Sequence, residues 1–141
     1  MLRGIDPVLS PELLKILCEM GHGDEIVIAD ANFPSAALAH RLGRADGIGA
    51  DKMLAAILPL FPLDTYANER FFLMQTVGDD QPPALWDAFR AELARFEPQT
   101  APAQLERFAF YERAKNAYAV IATGETACYG NVILKKGVVQ G

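Results

Sequence analysis

The sequence predicts an α/β protein of a single domain, residues 1–141, with helices layered around a mostly parallel sheet. Three observations carry that reading. Segments with apolar residues at helical spacing alternate with short apolar runs, the pattern of a layered α/β fold. Several of those runs are uninterrupted, as strands buried on both faces are. The length of 141 residues, 51% of them hydrophobic, suits one domain with a sizeable core.

Taken in order, Ser10-Pro11-Glu12 reads as an N-cap, a first helical position and an early acid. Leu13, Leu14, Leu17 and Met20 follow at helical spacing, and Gly21 is placed to end that helix in a left-handed cap. Ile26-Val27-Ile28 is β-branched and unbroken, so it predicts a strand buried on both faces. Ser35 to Leu42 reads as a short helix and Arg44 to Ile48 as a short strand. Ala50 to Leu58 is helical in composition and stops near Pro59. Arg70 to Val77 is apolar and aromatic, which predicts a strand. Pro83 then opens a stronger helix, with Leu85, Trp86, Phe89, Leu93 and Phe96 on one face. Glu97 to Ala103 contains Pro98 and Pro102 and reads as a loop. Phe110 to Asn116 predicts a helix. Ala117 to Ala122 and Val132 to Leu134 predict strands, with a turn at Thr123-Gly124-Glu125. There is no internal repeat or low-complexity tract.

Charge and cysteines exclude several classes. Thirteen basic against 18 acidic residues give a net charge of −5. Phosphate contacts need clustered Lys and Arg, and Lys135-Lys136 is too small a patch, so no nucleic-acid partner is expected. Cys18 and Cys128 form no C-x-x-C pair and are expected as reduced thiols. No apolar signal-type segment follows the N-terminus. The longest apolar run, Met53 to Leu63, is broken by Pro59 and Pro62 and falls short of the ~20 residues a membrane helix needs. No membrane contact is expected, and the setting expected is cytoplasmic.

Gly21-His22-Gly23 stands out as candidate chemistry. A histidine moves protons near neutral pH, and the flanking glycines let a ligand approach closely. Asp30 follows the next apolar run, at the strand end where α/β sheets place ligands. Each has a plainer reading: His22 as an ordinary turn residue, Asp30 as the cap of the turn Asp-Ala-Asn-Phe-Pro. Asp24 and Glu25 read as solvated, or at most as tuning the neighbouring histidine. His40 reads as solvent-facing or part of a helix surface, so no metal ligand set emerges. The order helix, glycines, strand is the reverse of a dinucleotide fingerprint, and no phosphate loop or G-x-S-x-G is present. Arg107-Phe108-Ala109-Phe110-Tyr111-Glu112-Arg113 sets polar groups among aromatics, with Phe108 and Phe110 expected in the core. Tyr129-Gly130-Asn131 offers a hydroxyl, a close-approach glycine and an amide, or simply a turn. Together these clusters supply donors, acceptors and aromatic faces without a cofactor motif. That inventory suits a polyhydroxylated ligand such as a sugar.

At these same residues the chain resembles the bacterial fucose mutarotases and their relatives the ribose pyranases. The resemblance runs through Leu9-Ser10-Pro11-Glu12-Leu13-Leu14, Glu19-Met20-Gly21-His22-Gly23-Asp24-Glu25-Ile26 and Asp30-Ala31-x-Phe33-Pro34. It continues at Arg44-Ala45-Asp46-Gly47, at Arg107 to Ala114, at Tyr129-Gly130-Asn131 and at Leu134 to Val138. Gln75 to Gln104 matches loosely, and Asn32 departs from the histidine of the bacterial fucose enzymes. The resemblance implies a ribose-pyranase-like fold and an isomerase that exchanges sugar anomers without a cofactor or metal. By the same resemblance, His22 matches the acid–base histidine. Asp30, Arg107, Tyr129, Gly130 and Asn131 match sugar-binding positions, and Tyr129 is a second acid–base candidate. Arg107 leans the match toward the fucose branch. Relatives form ring-shaped homo-oligomers, often decamers, with sites at subunit boundaries, which implies that His22 and Tyr129 of one site come from different chains.

Overall fold

The computed structural model describes residues 1–141. The elements run α1 (Pro11–Glu19), β1 (Glu25–Ala29), α2 (Ser35–Leu38), β2 (Leu42–Ala45), α3 (Ala50–Ile57) and β3 (Phe71–Met74). They continue with α4 (Leu85–Phe96), β4 (Ala103–Leu105), α5 (Arg107–Asn116), β5 (Ala119–Thr123) and β6 (Val132–Lys135). The strands form one six-stranded sheet in the order β2-β5-β1-β6-β3-β4. Five strands share one direction and β6 alone runs against them, so the sheet is mixed but mostly parallel.

The unbroken apolar strands do what two-sided burial requires. Ile26 and Ile28 of β1 enter one core with Phe71, Leu73, Ala119, Ile121, Val132 and Leu134. α1, α3 and α4 cover that face through Leu13, Leu17, Leu54, Ile57, Phe89 and Leu93. The alternate residues Val27, Ala29, Phe72, Met74, Val120 and Ile133 enter a second core, closed by Phe33 and by Phe110 and Ala114 of α5. Full burial of one such large apolar side chain stabilises by about 1.5–3 kcal/mol. Both layers therefore hold the central strands rigidly, and the site hangs on their ends.

Several boundaries differ from the sequence reading, each for a physical reason. Ser10 caps α1 as expected, its Oγ accepting from the Leu13 N–H at 3.2 Å. The helix stops at Met20 in an extended conformation, and the left-handed residue is Gly23, at φ +87°, not Gly21. α2 ends at Leu38, because the chain turns extended at Ala39 and enters β2 two residues before Arg44. His40 consequently lies beyond the helix, exposed. The end of the expected 97–103 loop becomes edge strand β4, paired in parallel with β3. α5 starts at Arg107, three residues before the expected Phe110, which turns Phe108 out to solvent at 61% exposure while Phe110 is buried. Glu25 is not solvated: Arg113 grips it through two bonds of 2.8 and 2.7 Å, and Lys135 stands 3.8 Å away. The Arg113 guanidinium also lies over the Phe72 ring, 3.9 Å from its centroid, tying α5 to the sheet. Cys18 and Cys128 are free and exposed. No helix is long and apolar enough to cross a membrane.

Candidate active site

Four of the six sequence-predicted residues line a single cavity. Asp30, Arg107, Tyr129 and Asn131 border about 360 Å³ of space together with Asn32, Phe33, Met74, Val77, Asp80, Tyr111 and Cys128. The cavity lies beyond the carboxyl ends of β1, β3 and β4 and at the amino end of the reversed strand β6. That is where open α/β sheets bind ligands.

Asp30 and Asn131 form the floor. Adjacent antiparallel strands β1 and β6 bring them together across 101 residues of sequence. The Asp30 N–H donates to Asn131 Oδ1 at 2.8 Å, and Asn131 Nδ2 donates back to Asp30 Oδ2 at 3.0 Å. Asp30 Oδ1 also accepts the Asn32 N–H at 3.0 Å, so the turn-capping role and a place in the cavity coexist. Both side chains are buried, at 5% and 3% exposure. Burial pushes the Asp30 carboxyl up, against the pull of the Asn32, Gly130 and Phe33 N–H groups and the Asn131 amide.

Gly130 separates the two polar residues of its tripeptide and is itself buried. A Cβ there would lie 2.9 Å from Glu125 Cγ and 3.0 Å from both the Ala127 carbonyl oxygen and Leu85 Cδ2. Tyr129 beside it has φ +60°, the one non-glycine residue with positive φ. The Trp86 indole N–H, donating to the Tyr129 carbonyl at 2.9 Å, helps hold that conformation. The Tyr129 hydroxyl donates to Asp80 and accepts the Val77 N–H at 3.2 Å. The bond to Asp80 is the main reason the phenol is held above its ordinary range. Arg107 opens α5, where Glu106 caps the helix by accepting the Phe108 and Ala109 N–H groups at 2.9 and 3.1 Å. Its guanidinium is exposed and sits 4.6 Å from the Phe108 ring centroid, free to turn toward a ligand.

His22 is not in this cavity. It occupies the turn before β1, at the opposite end of the strand from Asp30. Five strand residues alone span about 16 Å at ~3.3 Å per residue, so the two do not meet within one chain. The turn is closed by the Asp24 N–H to the Gly21 carbonyl at 3.1 Å and by the Gly21 N–H to Asp24 Oδ2 at 2.8 Å. Gly23 supplies the left-handed step and donates to the Lys136 carbonyl at 2.8 Å. The His22 side chain remains 47% exposed.

Sequence reasoning missed the residue that orients His22. The ring Nε2 lies 3.0 Å from Asp64 Oδ1, which also accepts the Tyr66 N–H at 3.0 Å. Burial alone raises the Asp64 carboxyl. The His22 ring, the Tyr66 N–H and the charges of His22 and Lys135 outweigh it and leave the carboxyl below its ordinary value. An ionised Asp64 makes Nε2 the protonated nitrogen and leaves Nδ1 for chemistry. Tyr66, 76% exposed, places its ring 5.5 Å from the imidazole and completes an open, aromatic-flanked histidine. The only available sequence signal was an acid in the Pro62-Leu63-Asp64 stretch; a partner 42 positions away has no spacing signature.

Known proteins are similar to this chain along nearly its whole length. The model of the RbsD / FucU transport protein family matches residues 3–139. The L-fucose mutarotase of Histophilus somni strain 2336 is 52% identical over 140 residues, covering 98% of this chain and 97% of that protein. Among solved structures, the fucose mutarotase of Streptococcus pneumoniae in complex with L-fucose superposes with a TM-score of 0.94 at 48% identity, covering 99% of this chain and all of that one. The Bacillus subtilis RbsD complexed with D-ribose superposes with a TM-score of 0.73 at 25% identity, covering 99% of this chain and all of that one. The chain belongs to the RbsD / FucU transport protein family.

Proposed function

We propose that this chain is a sugar mutarotase, exchanging the α and β anomers of L-fucose or a similar aldose by acid–base ring opening and closure. The observation that carries the reading is the full-length similarity to L-fucose mutarotases, one of them solved with L-fucose. The cavity supports it with paired donors and acceptors suited to sugar hydroxyls.

Anomer exchange moves protons only. One group takes the proton of the anomeric hydroxyl as another protonates the ring oxygen, and the C1–O5 bond breaks to give the open aldehyde. Rotation about C1–C2 and closure on the other face reverse both transfers. Nothing is oxidised or transferred, so the chemistry calls for no cofactor. In this reading Asp30 and Asn131 fix sugar hydroxyls, Arg107 turns in over the ring and Gly130 leaves room for it. His22 is the proton shuttle through Nδ1, held by Asp64, and Tyr129 is the second acid–base group. Holding these groups at contact distance replaces solvent encounters with an effectively intramolecular reaction.

Because His22 and the cavity lie at opposite ends of β1, the reading requires His22 of one chain to reach the cavity of another. Repeated head to tail, such a contact builds a ring where the rotation closes, and the resemblance to ring-forming relatives implies a decamer. Two exposed free cysteines suit a reducing, cytoplasmic setting.

The test is magnetisation transfer between the two anomeric proton signals of L-fucose. Exchange should rise in proportion to protein concentration; exchange at the buffer rate removes the proposal. The similarity to a D-ribose-bound relative favours one other reading, pyranose–furanose interconversion of ribose. The same experiment on a panel of aldoses separates the two. A non-catalytic sugar-binding protein would bind saturably and leave exchange untouched.

A further inference from the structure

Asp80 is a charged cavity residue that neither the motifs nor the proposed chemistry uses. It comes from the 77–81 turn, in the stretch of chain that carries none of the sequence motifs. The Asp80 N–H donates to the Val77 carbonyl at 3.2 Å, which closes the turn, and Gly78 supplies its left-handed step at φ +58°. Closing the turn brings two groups onto one atom. The Val77 N–H donates to the Tyr129 hydroxyl at 3.2 Å, and that hydroxyl donates to Asp80 Oδ2.

A phenol has one proton to give and two lone pairs to offer. Here Asp80 takes the proton and the Val77 N–H takes one lone pair. A single acceptor position remains, on a residue that lines the cavity together with Asp30 and Asn131. Tyr129 so arranged receives a hydrogen bond from a ligand hydroxyl, and it gives one only by abandoning Asp80.

We infer that Asp80 is a positioning residue which, through Tyr129, makes the cavity side of the site the proton-accepting side of the reaction. The inference rests on the anomer-exchange reading above. The anomeric O–H bond breaks and its proton bonds to Tyr129 Oη, while the Tyr129 proton leaves Oη for Asp80 Oδ2. The electron pair left on the anomeric oxygen forms the carbonyl as the C1–O5 bond breaks, and the ring oxygen takes the Nδ1 proton of a His22 ring that enters the step doubly protonated, its Nε2 proton staying on the Asp64 side. Closure returns each proton along the same path. Asp80 and Cys128 are the titratable groups whose charges act on Tyr129, and Asp30, Arg107 and Tyr111 line the same cavity.

Asp80 is exposed, so its substitution leaves the cores intact. The experiment measures L-fucose anomer exchange in Asp80→Asn, Asp80→Glu, Tyr129→Phe and the double variant Asp80→Asn/Tyr129→Phe. Asp80→Asn should lower kcat roughly 10-fold or more, within the span of acid–base contributions, with KM changed by less than about two-fold. Asp80→Glu, which keeps a carboxylate, should retain more activity than Asp80→Asn. In the Tyr129→Phe background the Asp80 change should cost nothing further, because the two act as one unit. A kcat for Asp80→Asn within two-fold of the parent, losses that multiply in the double variant, or a better Asn than Glu variant would each overturn the inference. A second readout needs no turnover. In an alkaline titration followed at the phenolate band, the transition deleted by Tyr129→Phe should move to lower pH in Asp80→Asn, and an unmoved transition overturns the pairing. If the parent protein exchanges no anomers, the functional reading fails by itself while this titration still decides the Tyr129–Asp80 pair.

Discussion

Replacing Asn131 by Ala tests the floor of the cavity through stability alone. Asn131 offers its oxygen to the Asp30 N–H and its amide nitrogen to the Asp30 carboxylate, and both residues are buried. Ala leaves a buried backbone N–H without an acceptor, at a cost of about 1–3 kcal/mol. It also removes a hydrogen bond to a charged group, worth about 1.5–3 kcal/mol while Asp30 is ionised. Water entering from the cavity recovers part of both, so the net loss near pH 7.5 should be about 2–4 kcal/mol. The two parts separate by pH. Burial raises the Asp30 carboxyl in the folded state, so folding takes up a proton there. The stability this contributes is complete below the unfolded value near 3.8 and is lost as pH rises through the folded value. Removing the Asn131 donor raises the folded value further, so Asn131→Ala should be more destabilising at pH 7.5 than at pH 4. Urea unfolding at both pH values, at one fixed protomer concentration, reads this directly. A variant within 0.5 kcal/mol of the parent at pH 7.5, or a loss that is the same at both pH values, would refute the reasoning.

Two further predictions follow from the geometry. Asp64→Asn keeps an acceptor for the Tyr66 N–H but removes the charge that fixes the His22 tautomer, so kcat for L-fucose exchange should fall roughly 10-fold. The folded Asp64 carboxyl is below 3.8, so its stabilisation is present above that value and lost as pH falls through the folded one; in Asp64→Asn that share of acid sensitivity should vanish from a pH series of thermal melts. Gly130→Ala forces a methyl against Glu125, Ala127 and Leu85, which should cost about 1–3 kcal/mol as overpacking. Because Tyr129 and Asn131 flank the displaced backbone, its sugar affinity should drop as well, as isothermal titration with L-fucose would show.

What was legible in the sequence follows from what was local. The strand Ile26-Val27-Ile28 and the α4 face of Trp86, Phe89 and Leu93 announce themselves by spacing, and the fold class rests on such runs. Edge strand β4 carries no such signal: Ala103-Gln104-Leu105 is half-exposed, follows a proline, and is a strand only because β3 lies beside it. α5 began earlier than expected because Glu106 caps it, although Glu is not among the favoured capping residues, and that shift put Phe108 in solvent. Asp30, Arg107, Tyr129 and Asn131, which line one cavity, were singled out through the family resemblance, since each local cluster alone also read as a cap, a turn or a strand end. Asp64 and Asp80 were not, since each matters only through a partner 42 or 49 positions away. Glu25 was misread for the same reason, its guanidinium partner lying 88 positions on.

In the proposed mutarotase, one sugar is served by His22 of one chain and by the Asp30 end of another. Complementation tests it most directly. His22→Ala and Arg107→Ala should each be inactive alone in L-fucose exchange. Co-expressed in equal amounts, they should form mixed assemblies in which about one quarter of the head-to-tail contacts pair an intact His22 with an intact Arg107. About that fraction of parent activity should return. If His22 and Arg107 instead served the same site within one chain, every site would lack one of them. No recovery in verified mixed assemblies would rule out a site shared between two chains.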